Sequence, residues 1–145
     1  MADKEKAKPV DVYSASAGSG KTYTLASRYI DMLISNPNKY QNILAVTFTN
    51  KATAEMMTRI IDDLYCLSTE PEKLSAELQE KQKKLIARQQ RCMRTAHKPI
   101  LSEADIKQRC HAALRLILND YRMFSVSTID SFVQRVIRAF AFEMG

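Results

Sequence analysis

The sequence predicts an α/β fold, a parallel sheet of about three strands with flanking helices. Three observations lead there. Short β-prone runs at about 10–14, 43–48 and 123–127 alternate with longer runs whose apolar residues recur every three or four positions. The intervening lengths suit right-handed crossovers between parallel strands. The first β-run also passes into its helix through Ser14-Ala15-Ser16-Ala17-Gly18-Ser19-Gly20-Lys21-Thr22, which holds two of the three glycines in the chain.

Residues 1–8 mix acid and base without an apolar run and read as a disordered leader. Val10, Val12 and Tyr13 supply the first strand. Beyond the loop, Leu25, Ala26, Tyr29, Ile30 and Leu33 form one apolar face of a helix over about 20–34. Asn36-Pro37-Asn38 ends it, because proline has no N–H to donate and restricts the residue before it. Ile43-Leu44-Ala45-Val46-Thr47-Phe48 is short and apolar, as a buried parallel strand should be. Asn50 suits the cap of the next helix, whose expected buried face is Ala54, Met57, Ile60, Ile61 and Leu64. Pro71 then opens a long polar helix to about residue 94, with a thin stripe of Leu74, Leu78 and Leu85. Ser102 with Asp105 resembles a capping box, and the helix behind it carries Ile106, Cys110, Ala113, Leu114 and Ile117. Met123 to Ser127 gives the third strand, followed by a last helix on Val133, Val136, Ile137, Phe140 and Met144.

A Gly-x-Gly-Lys-Thr loop between a strand and a helix is a cradle for nucleotide phosphate. The expected cofactor-binding residues are Ala17, Gly18, Ser19, Gly20, Lys21 and Thr22. Backbone N–H groups turn toward the phosphates, and the helix adds its positive N-terminal end. Lys21 supplies a point charge at the β/γ phosphates of ATP, and the Thr22 hydroxyl is the expected Mg²⁺ ligand. The full pattern, G-x-x-x-x-G-K-[ST], has Ala15 in place of its first glycine here, so that residue must keep a negative φ.

The length, 145 residues, suits one domain but is small for a complete ATP-driven motor. No apolar stretch approaches the ~20 residues of a membrane span, and the charged start is no secretion signal. Cys66, Cys92 and Cys110 lack C-x-x-C pairing and read as free thiols of a cytoplasmic protein. Cys92, His97, Cys110 and His111 match no zinc spacing, and Cys110 falls on an apolar stripe. The net charge of +6 is concentrated between Lys81 and Lys98, where seven basic residues occur without an acid. Such a block suits a polyanion such as DNA, or equally a solvated helix face, since it lacks interleaved aromatics for base stacking.

Three blocks in order carry a family resemblance: the loop at Ser14–Thr22, then Ile43-Leu44-Ala45-Val46-Thr47-Phe48-Thr49-Asn50-Lys51-Ala52 with Glu55, Arg59 and Ile60, then Val126-Ser127-Thr128-Ile129-Asp130-Ser131-Phe132. They resemble motifs I, Ia and Ib of the superfamily 1 DNA helicases of the UvrD/RecB type, in particular the RecB/AddA-like helicase–nucleases. The resemblance covers roughly residues 9–144, with 66–122 alike only in being helical. It implies a partial RecA-like P-loop NTPase domain over 9–145, an incomplete first motor domain with a helical segment at 67–121 between motifs. It further implies an ATP hydrolase of DNA repair, with exonuclease activity in some members, single-stranded DNA as a partner and a helicase–nuclease partner subunit. Lys21 would be the catalytic lysine, and Thr47, Phe48, Thr49, Asn50, Thr128 and Ser131 would contact DNA. On its own character Phe48 reads as core before contact, and Asn50 suits DNA contact and helix capping alike.

The chain departs from the family pattern in two places. Asp130 stands where the family commonly has histidine, and a carboxylate facing phosphate repels it, so capping of the last helix is the expected role for Asp130. No adenine-reading glutamine motif precedes the loop. The sequence also has no apolar strand ending in paired acids to hold Mg²⁺ and position water. The expectation is therefore a fragment that binds phosphate without hydrolysing ATP. Two other classes compete, a non-catalytic interaction module and a small-molecule phosphoryl transferase. A sheet without further strands would leave edges and apolar faces open, favouring self-association.

Overall fold

The computed structural model describes Val10, Val12 and residues 20–145. The elements run α1 (Gly20–Ser35), β1 (Ala45–Thr47), α2 (Asn50–Ser68), α3 (Ala76–Thr95), α4 (Glu103–Asn119), β2 (Val126–Thr128) and α5 (Ile129–Met144). Short 3₁₀ turns at Pro37–Asn42, Pro71–Lys73 and Tyr121–Met123 join them.

The expected second and third strands pair in parallel with Ala45 opposite Val126, Val46 opposite Ser127 and Thr47 opposite Thr128. Each spans only three residues, and among the described residues they make the whole sheet. Helices therefore dominate. Most of the expected first strand lies outside the described residues; Val10 and Val12 are exposed and belong to no regular element.

Two helices follow their apolar stripes closely. α4 buries Ile106, Cys110, Ala113, Leu114 and Ile117, and Ser102 caps it by accepting from the Asp105 N–H at 3.1 Å. α1 buries Ala26, Tyr29, Ile30, Leu33 and Ile34, whereas Leu25 lies off that face and is exposed. At its end Asn36 accepts from the Asn38 N–H, and Arg109 donates to the Ile34 and Ser35 carbonyls at 2.9 and 3.2 Å. Those carbonyls would otherwise be unsatisfied at the helix terminus. α4 packs on α2 and α1, α3 packs along α2, and Tyr29 meets Phe124 edge-to-face at 5.6 Å. Each fully buried Ile or Leu in this layer contributes roughly 1.5–3 kcal/mol before the entropy cost is counted.

Four local expectations are corrected. Thr49, not Asn50, caps α2, accepting from the Ala52 N–H at 3.1 Å; a threonine in extended backbone does this as well as asparagine. The buried face of α2 is Met56, Ile60, Asp63, Leu64, Cys66 and Leu67, with Ala54 exposed, because the helix is covered by α1, α3 and α4 together. α3 starts at Ala76 behind the cap Ser75, after a separate turn at Pro71, and buries Gln82 and Gln89 while Leu78 stays outside. Gln82 takes that place by donating to the Cys66 and Thr69 carbonyls at 2.7 and 2.8 Å. Finally, α5 forms where expected but buries no residue, so its apolar face remains open.

Candidate functional site

Of the residues expected at the phosphate, Ala17, Gly18 and Ser19 lie outside the described residues, while Gly20, Lys21 and Thr22 form the first turn of α1. A helix start carries N–H groups with no intrahelical acceptor and a partial positive charge, which together attract anions. Among the described residues, a Cβ built on Gly20 would touch nothing within 4 Å. Lys21 is exposed beside it. Thr22 faces a cleft of about 590 Å³ that α2 and α3 complete with Glu55, Thr58, Arg59, Asp62 and Lys81.

Charges in this cleft nearly balance. Lys81 lies 2.7 Å from an oxygen of the buried Asp63, an electrostatic approach off the ideal hydrogen-bond direction, since the same oxygen has no well-aligned donor. Arg59 stacks over the Tyr23 ring at 5.4 Å, joining α1 to α2 at the cleft. Tyr23 was not singled out from sequence and Arg59 only as part of the second block. The signal available was their position, one immediately after Thr22 and the other nine residues beyond Asn50.

The second candidate region is the carboxyl end of the sheet, where ligands of open α/β folds collect. The register sets Thr47 opposite Thr128, so β1 and β2 stop side by side and α2 and α5 start almost at once. Both threonines are buried with their hydroxyls engaged. Thr47 Oγ1 donates to the Thr49 carbonyl at 3.1 Å and lies 2.6 Å from Thr53 Oγ1. Thr128 Oγ1 accepts from the Ser131 N–H at 3.2 Å and donates to Ser131 Oγ at 2.9 Å. Thr128 is thus the cap of α5, the role expected of Asp130, which sits exposed in the first turn instead.

Around these two inward threonines the remaining residues face water. Phe48, expected in the core, is 88% exposed, because β1 has ended and the chain is turning into the Thr49 cap. Thr49, Asn50, Lys51 and Ser131 are also exposed. Two helix N-termini, an exposed aromatic ring and an ammonium therefore share one edge.

The basic block is only partly available. Lys81 meets Asp63, Lys84 meets Glu80 at 2.7 Å, and Arg88 meets both oxygens of Asp31 at 3.3 Å. Lys83, Arg91, Arg94 and Lys98 make no contact ion pair among the described residues, although Lys83 still acts on Glu80 at longer range. The three cysteines are free; burial pushes the Cys110 thiol up to about 12 and raises Cys66 as well. No cluster of three His, Cys, Asp or Glu side chains suited to a metal occurs among the described residues, and none of their helices is long and apolar enough to cross a membrane.

Residues 4–145 match the UvrD/REP helicase N-terminal domain. The chain is 32% identical over 144 residues to the RecBCD enzyme subunit RecB of Escherichia coli (strain K12), covering 90% of this chain and 10% of that protein. Over 52 residues it is 50% identical to a probable DNA helicase II homolog of Rickettsia conorii, covering 36% of this chain and 8% of the relative. Over 65 residues it is 46% identical to an ATP-dependent helicase/nuclease subunit of Clostridium novyi, covering 39% of this chain and 5% of the relative. The chain thus spans a tenth or less of the length of these relatives. No solved structure gives a significant match. With a lysine-bearing helix start and a strand-end edge in the expected order, and a family match across nearly its whole length, this chain belongs to the UvrD/REP helicase family, in which it represents the N-terminal domain.

Proposed function

We propose that the chain is the ATP-binding portion of an ATP-dependent DNA helicase motor, a partial RecA-like domain that engages single-stranded DNA along the end of its sheet. The observation that carries this reading is the Thr47–Thr128 register. It brings the N-termini of α2 and α5 together beside the exposed Phe48. Helix N-termini attract phosphate oxygens, and an aromatic ring gives a base a stacking surface without reading its identity. Thr49, Asn50 and Ser131 add hydroxyl and amide groups for the backbone. Thr47 and Thr128 act one step back: their engaged hydroxyls fix where each strand turns into its helix.

The start of α1 fits a nucleotide. Lys21 and Thr22 would hold its phosphates and Mg²⁺, and Arg59, on the same cleft as Thr22, would add a second cation there. ATP hydrolysis supplies the free energy for stepping when the full motor is assembled. In this chain the sole adjacent acid pair, Asp62-Asp63, lies on helix α2, with Asp63 buried against Lys81 and Asp62 exposed. That arrangement cannot present two carboxylates to one Mg²⁺. The isolated chain therefore grips nucleotide without hydrolysing it, and a partner subunit or further domain completes the enzyme.

The test is anisotropy of a fluorescein-labelled oligothymidylate titrated with the chain between roughly 50 and 200 mM salt. Neutralising about three phosphates gives a log–log slope near −2. Asn50→Asp should weaken binding by placing a carboxylate at the start of α2. Salt-independent binding, or an unchanged affinity in Asn50→Asp, would refute the DNA reading. Measurable ATP turnover lost on Lys21→Ala would refute the non-catalytic one.

A further inference from the structure

The far end of α1 carries a groove that neither site uses. A cavity of about 330 Å³ lies between the C-terminal halves of α1 and α3, with Met32, Gln89, Cys92 and Met93 in its lining. A second, of about 260 Å³, shares Ser35, Met93 and Lys98 with the first and extends to Pro99, Leu101 and Arg109. Together they form one elongated depression. Its first lining residue on α1, Arg28, lies six residues beyond Thr22, about 9 Å of helical rise.

Two observations define what this groove would accept. The lone acid on either lining, Asp31, is matched by Arg88 at 3.3 Å and Arg28 at 3.8 Å. Lys98 has no carboxylate partner among the described residues, and Arg109 gives its N–H groups to main-chain carbonyls. Two positive charges are therefore left without an acid among the described residues. Between them the surface is aliphatic and sulfur-rich, and methionines adapt to varied apolar side chains.

We propose that this groove binds an extended acidic and apolar segment of a partner polypeptide. Apolar side chains would rest on Met32 and Met93, and carboxylates would meet Lys98 and Arg109. Single-stranded nucleic acid fits less well, because the lining has no aromatic ring for base stacking and its apolar floor would be left unmatched. The proposal does not depend on the nucleotide or DNA sites.

Cys92 provides the reporter, since it is half-buried in the lining while Cys66 and Cys110 are buried. The full chain is labelled with a neutral fluorescent iodoacetamide, alone and with an acetylated hexapeptide alternating leucine and aspartate. At a peptide concentration of about twice Kd, Cys92 labelling should slow about threefold. Lys98→Glu, a change at the surface, should abolish that protection. Met32→Ser, at an exposed position of the lining, should weaken a fluorescein-tagged copy of the peptide about fivefold in anisotropy, the loss expected for about 1 kcal/mol of apolar contact, with the helical circular dichroism retained. Equal protection by the lysine analogue of the peptide, protection by oligothymidylate alone, or no protection by any probe would overturn the proposal. So would deletion of residues 1–9 if it accelerated Cys92 labelling and was needed for peptide binding, because the leader would then be the occupant.

Discussion

Phe48→Ala separates a functional ring from a structural one. The side chain is 88% exposed, so truncating it removes little buried surface. A fully buried phenylalanine contributes roughly 1.5–3 kcal/mol, and a tenth of that is about 0.3 kcal/mol, near the error of a denaturation experiment. Stacking of one base on an aromatic ring contributes about 1–3 kcal/mol, which corresponds to roughly 5- to 150-fold in affinity. The expected result is therefore an unchanged urea midpoint with at least about a fivefold loss of oligothymidylate binding. Phe48→Tyr should retain affinity, whereas Phe48→Leu should lose most of it, because a flat ring rather than apolar bulk is required. The salt slope should not move, since the ring neutralises no phosphate. Two results would refute the reasoning: wild-type DNA affinity in Phe48→Ala, or a stability loss above about 1 kcal/mol, which would mean that the ring is packed.

The Asp63–Lys81 pair should respond asymmetrically. Lys81→Met strands a carboxylate that is 2% exposed and should cost about 2 kcal/mol, below the usual cost for a fully buried pair because Lys81 is half in water. Asp63→Leu should cost less than Lys81→Met, as the freed ammonium can turn to solvent; urea denaturation of both variants checks the order. Alkaline stability should follow Cys110. Burial keeps its thiol protonated up to about 12, while the unfolded chain releases that proton from its ordinary value of 9.0, so the folded state holds the extra proton in between. Stability then falls with rising pH, by up to about 1.4 kcal/mol per unit from about pH 9, and Cys110→Ala should flatten this slope in urea titrations. Burial of Tyr29 raises its phenol above the ordinary value of 10.0 as well, so a slope of similar steepness should remain in Cys110→Ala from about pH 10. The open face of α5, with Ile137 and Phe140 both more than half exposed, should drive self-association. Sedimentation should show a monomer for Phe140→Glu and larger species for the unaltered chain.

The sequence made α1 and α4 legible because each presents one stripe to one neighbouring layer, and Ile106, Cys110, Ala113, Leu114 and Ile117 are spaced as such a stripe requires. α2 was legible only as a helix. It is covered on several sides, and one of its buried positions, Asp63, is hydrophilic and tolerated only because Lys81 reaches it from α3. The same holds for Gln82, whose burial depends on carbonyls sixteen and thirteen residues earlier in the chain. Hydrophobic periodicity carries no information about such partners. For Phe48 the pattern misled, since a phenylalanine ending an apolar run looks like core. The strand stops one residue earlier at Thr47, and nothing in the run itself marks that stop.

The two halves of the sheet edge are held in different ways, and this bears on which residues would position DNA under the proposed reading. α2 is packed against α1, α3 and α4, so Thr49, Asn50 and the chain around Phe48 rest on a fixed support. α5 buries no side chain. Its orientation comes from β2 running into it without a break, from the Thr128 cap, and from Arg135, which donates to Ser127 Oγ at 3.1 Å. The amides at the start of α5 are therefore aimed by the strand rather than by helix packing. A ligand touching both helix starts gains its positioning from β1 and α2, and its contact with α5 adds order to the less constrained side. Pre-set donors lose less entropy on binding than donors that must first be ordered, so under the proposed reading the larger share of contact energy would belong to the Phe48–Asn50 side of the edge.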